Sequence, residues 1–571
     1  MKNQFVADTF YLIANLLDLK GESFFKTRAY RMAAQTIEAL DDDVEKLAHQ
    51  GTLESIPGIG GALAKKISEL IQTGKLDYLE RLKKEVPPGL IDLLGISGLG
   101  PKKVAALYKN LGITALQSLK EAASQGKLRV LEGFGEITER NILRGIQLLE
   151  KTTGRVLLNV AYEDGLRYLQ YMRNCKEIIR TDIAGSLRRM KETIGDIDIL
   201  ASSKNPKRVM EHFVKYPEIA EILAQGITKS SVLLNDNLQV DLRVVEEKSY
   251  GAALQYFTGS KDHNVSLRSF AIRKGFKLNE YGLFDKATDA FITGKTEEDI
   301  YKNIGFPYIE PELRENRGEF EAAKNNMLPV LVGYHQIHGD FHVHSEWSDG
   351  TDSIELIASL AQRLGYTFVG VTDHSQSLKI ANGLSEERVR KKIDEVKRIQ
   401  RKFSNLRILC GTECDIKTDG TLDYSTKVLQ LFDFVYIGIH TALKMDKEAM
   451  TKRIIKGMEN QEANFLAHPT GRLIGKRDPY EVDIEQIMDT AKETDTRLEI
   501  NSFPDRLDLD DGHVKLAKEH GVQFVLGTDA HSVANLPFMR FGIATARRGW
   551  LEKKDILNTS SLKDIEKILG R

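Results

Sequence analysis

Apolar residues recur every three or four positions through roughly the first 150 residues, in short runs cut by glycine. "QFVADTFYLIANLLDL" opens the series and predicts an amphipathic helix. The period then changes. "TDIAGSLRRMKETIGDIDILAS" and "LQVDLRVV" alternate with period two and predict strands. "EPELRENRGEFEAAKNNMLP" is charged, ends in proline and predicts a linker from about 310 to 335. Beyond it, short apolar strands ("YTFVGVTDH", "RILCGTECDI", "FDFVYIGIH", "NFLAHP", "TRLEIN", "VQFVLGTDAH") alternate with helical stretches, the rhythm of a β/α barrel.

At 571 residues the chain exceeds one ordinary domain. No apolar run is long enough for a membrane span, so no membrane association is expected. The N-terminal apolar segment carries Asp8 and lacks a basic start and a small-residue cleavage site, so it reads as a folded helix rather than a signal peptide. Cys175, Cys410 and Cys414 form no CxxC pair, which suits a reducing cytoplasm and argues against a thiolate zinc site. The net charge of −1 does not advertise a nucleic-acid binder, so contact with DNA must come from local features.

Such a feature repeats. "IPGIGGALAKKI", "ISGLGPKKV" and "LEGFGEITER" share an apolar-x-Gly-apolar-Gly core opening a helix. Glycine lets the backbone turn tightly and approach a phosphate, with a helix N-terminus behind it. Gly58, Gly60 and Lys65, then Gly98, Gly100, Lys102 and Lys103, are the candidate DNA contacts. The third copy lacks the lysines and reads as structural. The three turns resemble helix-hairpin-helix motifs, which grip DNA backbone without reading sequence.

In "GDIDIL", Asp196 and Asp198 lie two apart on one predicted strand and share a face. Asp241 of "QVDLRVV" is placed to complete a set of three. Three carboxylates on adjacent strands are what two Mg²⁺ ions need to bridge a triphosphate and a 3′-hydroxyl. With "RAYRMAA", "GSLRR", "YFTGS" and "KGFKLNEYGLF", the first 315 or so residues closely resemble the X family of DNA polymerases. That resemblance implies a nucleotidyltransferase in which Asp196 and Asp198 bind both metals and Asp241 binds the one activating the primer hydroxyl. Ser186, Arg189 and Arg155 would hold the incoming triphosphate. Tyr256 and Phe257, with Gly259, would line the sugar; Asn264 would meet the incoming base and Arg268 the template strand. Lys66 stands where lyase members of the family form a Schiff base, with Lys26 and Tyr30 as neighbours. Phe25 stands where the family often has a base-stacking histidine, and Ile194 where vertebrate relatives have serine.

The later half carries another donor set: His342 and His344 in "GDFHVHSEWSDG", then Asp349, His374, Glu413, His440, His468, Asp529 and His531. Nearly all end a predicted strand, and in a β/α barrel those ends converge on one mouth. Imidazoles and carboxylates so clustered are costly to bury without a metal. From about 338 to 571 the chain resembles the polymerase-and-histidinol-phosphatase (PHP) superfamily of metal-dependent phosphoesterases, whose fold is a distorted seven-stranded β/α barrel with a trinuclear site. The resemblance implies one metal on His342, His344, Glu413 and Asp529, a second on Glu413, His440 and His468, and a third on Asp349, His374 and His531. Nitrogen and oxygen ligands permit Mn²⁺, Zn²⁺ or Fe²⁺, with Mn²⁺ expected for activity. Asp373 reads as a partner of ligands rather than a ligand, and Asn501 or Arg506 as neighbours of a substrate phosphate.

The expectation is a multidomain chain. It has a helical lyase-like DNA-binding domain (1–85), helix-hairpin-helix fingers (86–150), an α+β nucleotidyltransferase palm (151–250), a thumb (251–315), a linker (316–337) and a PHP barrel (338–571). The resemblance implies a cytoplasmic monomer that fills gapped or 3′-recessed DNA with dNTPs in base excision repair. Its barrel would trim 3′ ends as a 3′→5′ exonuclease, with AP lyase, AP endonuclease and 3′-phosphatase activities as further expectations. The alternatives are a barrel that is only a structural metal module, or a small-molecule phosphatase.

Overall fold

The computed structural model describes all residues except 1, 39–43, 57, 95, 97–98, 132, 137, 141, 144, 147–153 and 571. The chain forms two compact units, Met1–Thr153 with Leu473–Asp478, and Gly154–Arg472 with Pro479–Arg571.

The first unit is helical. Its elements include Lys2–Leu19, Phe24–Glu38, Gly61–Thr73 and Pro101–Leu111. In Gly61–Thr73 the buried residues are Ala64, Ile67 and Leu70, three apart, so one face enters the core. Gly74 ends that helix in the left-handed region at φ 68°, where its N–H donates to the Leu70 carbonyl. Pro101 starts the next one, where its missing N–H costs nothing. A single apolar cluster runs from Val6 to Ile146. The segments expected as separate lyase-like and fingers domains therefore share one core.

In the second unit, five strands make the sheet of the segment expected as the palm: β1 (Arg180–Ile183), β2 (Asp196–Ser202), β3 (Ile219–Gln225), β4 (Lys229–Leu234) and β5 (Gln239–Val245). Their spatial order is β1-β2-β5-β4-β3. Within this sheet β2 and β5 are the parallel pair, and their register sets Asp198 opposite Asp241. Helix Leu158–Met172 covers the sheet with the fully buried Tyr168. The thumb follows as helices Tyr250–Thr258 and Lys261–Arg273, a three-stranded antiparallel sheet and helix Glu297–Ile304.

The stretch predicted as a linker is folded. It holds a 3₁₀ turn (Pro311–Leu313) and a helix (Glu319–Lys324), and Leu313, Phe320 and Ala323 join the thumb core. Several of its charges are buried in pairs rather than solvated: Arg314 on Glu297, and Glu319 Oε1 on His263 Nδ1 at 2.7 Å. A buried charge with a partner leaves the same sequence pattern as an exposed one, which is why polarity misread this segment.

Glu297 sits between Arg314 and the palm's Arg188, whose Nη2 lies 2.6 Å from it. Burial alone would raise its pKa, but the two guanidinium groups hold it down at about 2. A depressed folded pKa means the stabilisation is complete above the ordinary value of 4.5 and is lost as pH falls through about 2. Glu297→Gln leaves the buried Arg314 and the half-buried Arg188 short of a partner and should cost about 3–5 kcal/mol, read as a lower denaturation midpoint at pH 7 and a flatter stability profile between those pH values.

The barrel has seven parallel strands: β6 (Gly339–Val343), β7 (Phe368–Val371), β8 (Arg407–Asp415), β9 (Phe434–Gly438), β10 (Phe465–Leu466), β11 (Arg497–Asn501) and β12 (Phe524–Gly527). They pair in sequence order, and a bridge between Val343 and Ala530 brings the first strand to the last, so the barrel is nearly closed. Most strand positions are buried on both faces, so the strands read as apolar runs without alternation. Phe341, Phe368, Phe434 and Phe465 pack together with Tyr436, whose ring lies 4.6 Å from that of His342.

Candidate metal centres and their surroundings

The palm carboxylates converge. Asp196 and Asp198 project from one face of β2, and Asp241 lies beside Asp198 on β5. Burial, then the charges of Asp196 and Asp241, push the Asp198 carboxyl up to about 7. Burial and then Asp241 also raise Asp196. Three acids held this close without a full set of cations repel one another, and divalent cations remove that cost. Lys229, 3.4 Å from Asp241, and the Gln239 amide, 2.8 Å from it, supply only part of the compensation. Gly185 makes the site compact: its φ is +64°, and a Cβ there would sit 2.1 Å from Asp198 Oδ2.

Ser186, Arg189 and Arg155 line one cavity of about 430 Å³ with Lys191 and Glu192. Arg155 donates from Nε to the Thr193 hydroxyl at 3.0 Å. Arg189 is engaged already, with Nε on Glu315 at 2.9 Å and Nη1 on the Thr258 carbonyl at 2.7 Å. Sequence reading missed Glu315, which lies in the supposed linker. Tyr256 and Phe257 end helix Tyr250–Thr258, with the Arg243 guanidinium 4.4 Å from the Phe257 ring, and Gly259 caps the helix. Asn264, expected to meet a base, spends its amide on the Tyr256 and Gly259 carbonyls and accepts from Gln255. In this conformation it fixes the turn that carries Tyr256 and Phe257. Arg268 is half-buried on the following helix.

In the first unit Gly58 takes φ +81° and Gly60 precedes helix Gly61–Thr73, with Lys65 exposed just inside it. Gly98 lies outside the described residues. Gly100 precedes helix Pro101–Leu111, Lys102 is exposed and the Lys103 ammonium lies 5.9 Å from the Phe134 ring. In the third copy, Glu139 is buried and accepts the backbone N–H groups of Leu128 and Arg129, a structural arrangement. Lys66, Lys26 and Tyr30 gather around Tyr78: the two ammonium groups lie 5.1 and 6.0 Å from its ring, and Tyr30 stacks on it at 6.0 Å. Tyr78 carried no sequence signal beyond its place on a helix. Phe24 and Phe25 are exposed aromatics.

In the barrel all nine donors meet at the C-terminal ends of the strands. Glu413 is the hub. One oxygen lies 2.9 Å from both His440 Nε2 and His468 Nε2; the other lies 3.1 Å from His374, 3.4 Å from His342 and 3.5 Å from His344. Asp529 Oδ1 lies 3.3 Å from His344 Nε2, and Asp349 Oδ2 lies 3.3 Å from His531 Nε2 and 3.5 Å from His374 Nε2. Three groups have donor atoms mutually within 4.8 Å: His342, His344 and Asp529; His374, Glu413 and His440; and His344, Asp349, His374 and His531. Against the expected partition, His374 also enters the Glu413–His440 group and His344 the Asp349 group.

Several of these atoms are buried without a hydrogen-bond partner: His342 Nε2, both ring nitrogens of His344, His374 Nδ1 and Glu413 Oε2. Orphaned nitrogens and oxygens converging on common points fit divalent cations. Burial pushes His344 and His468 down to about 4, leaving neutral imidazoles suited to ligation. At His440 burial opposes protonation, but Glu413 and Asp415 win and raise it to about 10. His468 and Asp529 hold positive φ values of 28° and 54°, strain that packing maintains at the site.

The supporting residues emerged only in the fold. Glu499 takes His342 Nδ1 at 2.6 Å and the His468 N–H at 2.7 Å, and Asp415 takes His440 Nδ1 at 3.1 Å. Each orients an imidazole through its far nitrogen. A lone acid inside an apolar strand, as in "RLEIN", was the available clue. Asp373 pairs with buried Lys392 at 2.8 Å. Arg506 and Asn501 both lie 3.1 Å from Asp529 Oδ2.

Family models match four parts of the chain: a helix-hairpin-helix domain at 1–76, a SAM-like helix-hairpin-helix tandem at 90–147, the DNA polymerase beta thumb at 253–315 and a PHP domain at 340–503. The "DNA polymerase/3'-5' exonuclease PolX" of Bacillus subtilis (strain 168) is 41% identical over 561 residues, 98% of each chain. The "DNA polymerase lambda" of Arabidopsis thaliana is 26% identical over 55% of this chain and 62% of its own. That of Rattus norvegicus is 25% identical over 55% and 56%. With both donor sets assembled and near-complete coverage of a relative at this identity, the chain belongs to the PolX family, an X-family polymerase core joined to a PHP barrel.

Proposed function

We propose that this chain is a DNA-directed DNA polymerase that fills short gaps in DNA repair, base excision repair included, and that its barrel is a metal-dependent 3′→5′ exonuclease. The carrying observation is that both donor sets stand complete in a chain 41% identical, end to end, to a polymerase/3'-5' exonuclease. Asp196, Asp198 and Asp241 would hold two Mg²⁺, which supply charge neutralisation for a triphosphate and a more acidic primer hydroxyl. Ser186, Arg189 and Arg155 bind the phosphates, while Tyr256 and Phe257 crowd the sugar edge. The lysine-flanked turns hold DNA backbone without regard to sequence. In the barrel the nine donors would hold up to three ions, Mn²⁺ by preference over Zn²⁺, which polarise a phosphodiester and supply hydroxide near neutral pH. Glu499 and Asp415 keep the imidazoles in the ligating tautomer, and Arg506 faces the substrate phosphate. The domain limits expected from the sequence are kept as a proposal with two changes: 1–85 and 86–150 pack on one core, and 316–337 is folded, with Phe320 and Ala323 on the thumb core and Val332 and Ile337 on the barrel core.

The experiment is a labelled primer on a gapped duplex with Mg²⁺ or Mn²⁺. Extension by a few nucleotides is expected with dNTPs and shortening from the 3′ end without them. A barrel that hydrolyses a small phosphomonoester in preference to the 3′-recessed duplex, or neither, overturns the nuclease half. Borohydride trapping on an abasic duplex separates Schiff-base chemistry at Lys66 from a phosphate contact.

A further inference from the structure

The cavity at Ser186 is not built by the palm alone. Arg155, Ser186, Arg189 and Lys191 form one side, and Asp511 and Arg548 of the barrel form the other. Arg548 ends helix Met539–Arg548 and its side chain is 4% exposed. Its Nη1 donates to Glu315 Oε1 at 3.0 Å and to the Arg189 carbonyl at 2.8 Å. Its Nη2 donates to Asp511 Oδ2 at 2.6 Å. Glu315 Oε1 is the same oxygen that accepts from Arg189 Nε. A barrel guanidinium and a palm guanidinium thus share one largely buried carboxylate at the rim of the palm's phosphate pocket.

We propose that Arg548 is a positioning residue for nucleotide binding in the palm: it keeps Glu315 paired so that Arg189 can exchange that carboxylate for a triphosphate. The proposal rests on the reading of Arg189 as a triphosphate contact. When Arg189 turns to phosphate its bond to Glu315 breaks, and a buried carboxylate left alone is strongly unfavourable. Arg548 remains on Glu315, anchored from behind by Asp511, so the exchange leaves no unpaired charge. Without Arg548, Glu315 keeps Arg189 as a hydrogen-bonded cation and Lys191 as a more distant charge, holds Arg189 more tightly, and turns a less compensated negative charge toward a polyanionic ligand. The barrel therefore serves polymerisation through a side chain remote from its own metal ligands.

The test uses the full chain in single-nucleotide gap filling, with 3′→5′ degradation measured alongside. Arg548→Met is expected to raise the dNTP KM about tenfold, with kcat within about twofold and degradation unchanged. Adding Glu315→Gln to that variant is expected to bring KM back toward the wild-type value, a recovery that general loosening of the interface does not produce. An unchanged KM in Arg548→Met, or no recovery in the double variant, overturns the proposal. If Arg548→Met does not fold, Arg548→Gln, which keeps a hydrogen-bonding amide without charge, replaces it, and the same two outcomes decide the proposal. Arg189→Met is measured separately: if it leaves KM unaltered, the underlying reading of Arg189 fails, whatever Arg548 does.

Discussion

Asp198→Asn is expected to lower primer extension by about 10³-fold or more while 3′→5′ degradation persists. The substitution is nearly isosteric, so the close approach of Gly185 is kept and the palm stays folded. What disappears is the central charge of the triad, the one beside Asp196 on β2 and opposite Asp241 on β5. Asp196 and Asp241 alone would then hold the two metals, and charge neutralisation at the triphosphate would weaken. Single-turnover extension of a gapped duplex reads the loss. Retained extension would remove Asp198 from the metal site. Burial first, and then the charges of Asp196 and Asp241, raise Asp198 to about 7; relief of both should also leave the metal-free variant at least as stable as the metal-free wild type.

Glu413→Gln should have the opposite selectivity. Degradation is expected to fall about 10³-fold, with extension on the same duplex within about twofold. The reason is the hub geometry: five histidines lie within 3.5 Å of one carboxylate, so its loss disturbs donors from every metal group at once. Stability gives a second readout. A cation at roughly 100 times its Kd adds about 2.7 kcal/mol, so a chelator should lower the barrel's thermal transition in the wild type. The drop should be smaller in the variant. Degradation that survives Glu413→Gln, or a transition indifferent to chelator, would separate this barrel from a metal-dependent nuclease.

The donor sets were legible because both rest on local periodicity. A period of two places Asp196 with Asp198, and histidines that close successive apolar strands must meet if those strands form a parallel barrel. The glycine turns were legible for a similar reason, since φ +81° at Gly58 is a local backbone demand. Three features were not. The linker assignment failed because Arg314, Glu315 and Glu319 look solvated until Glu297, Arg189 and His263 arrive from distant elements. The partners of the Asn264 amide, the Tyr256 and Gly259 carbonyls, were also not readable from spacing, because they come from the end of the preceding helix; its contact with an incoming base stays a proposal. Glu499 and Asp415 sit in strands whose apolar neighbours hide them until the imidazoles of His342 and His440 and the backbone N–H of His468 are in place.

Taken by itself, the sequence determined the types of structure and the chemistry: helices with phosphate-facing turns, a carboxylate pair on a strand, an imidazole series on a barrel. Those follow from spacing along the chain and from the donor properties of each side chain. The tertiary structure alone decided which charges are shared. Whether Arg189 faces a phosphate or Glu315, and whether Glu315 also answers to Arg548 from the barrel, depends on contacts spanning 126 and 233 residues. No periodicity encodes such pairs; burial selects them, because inside the fold a charge keeps its place only where a partner meets it.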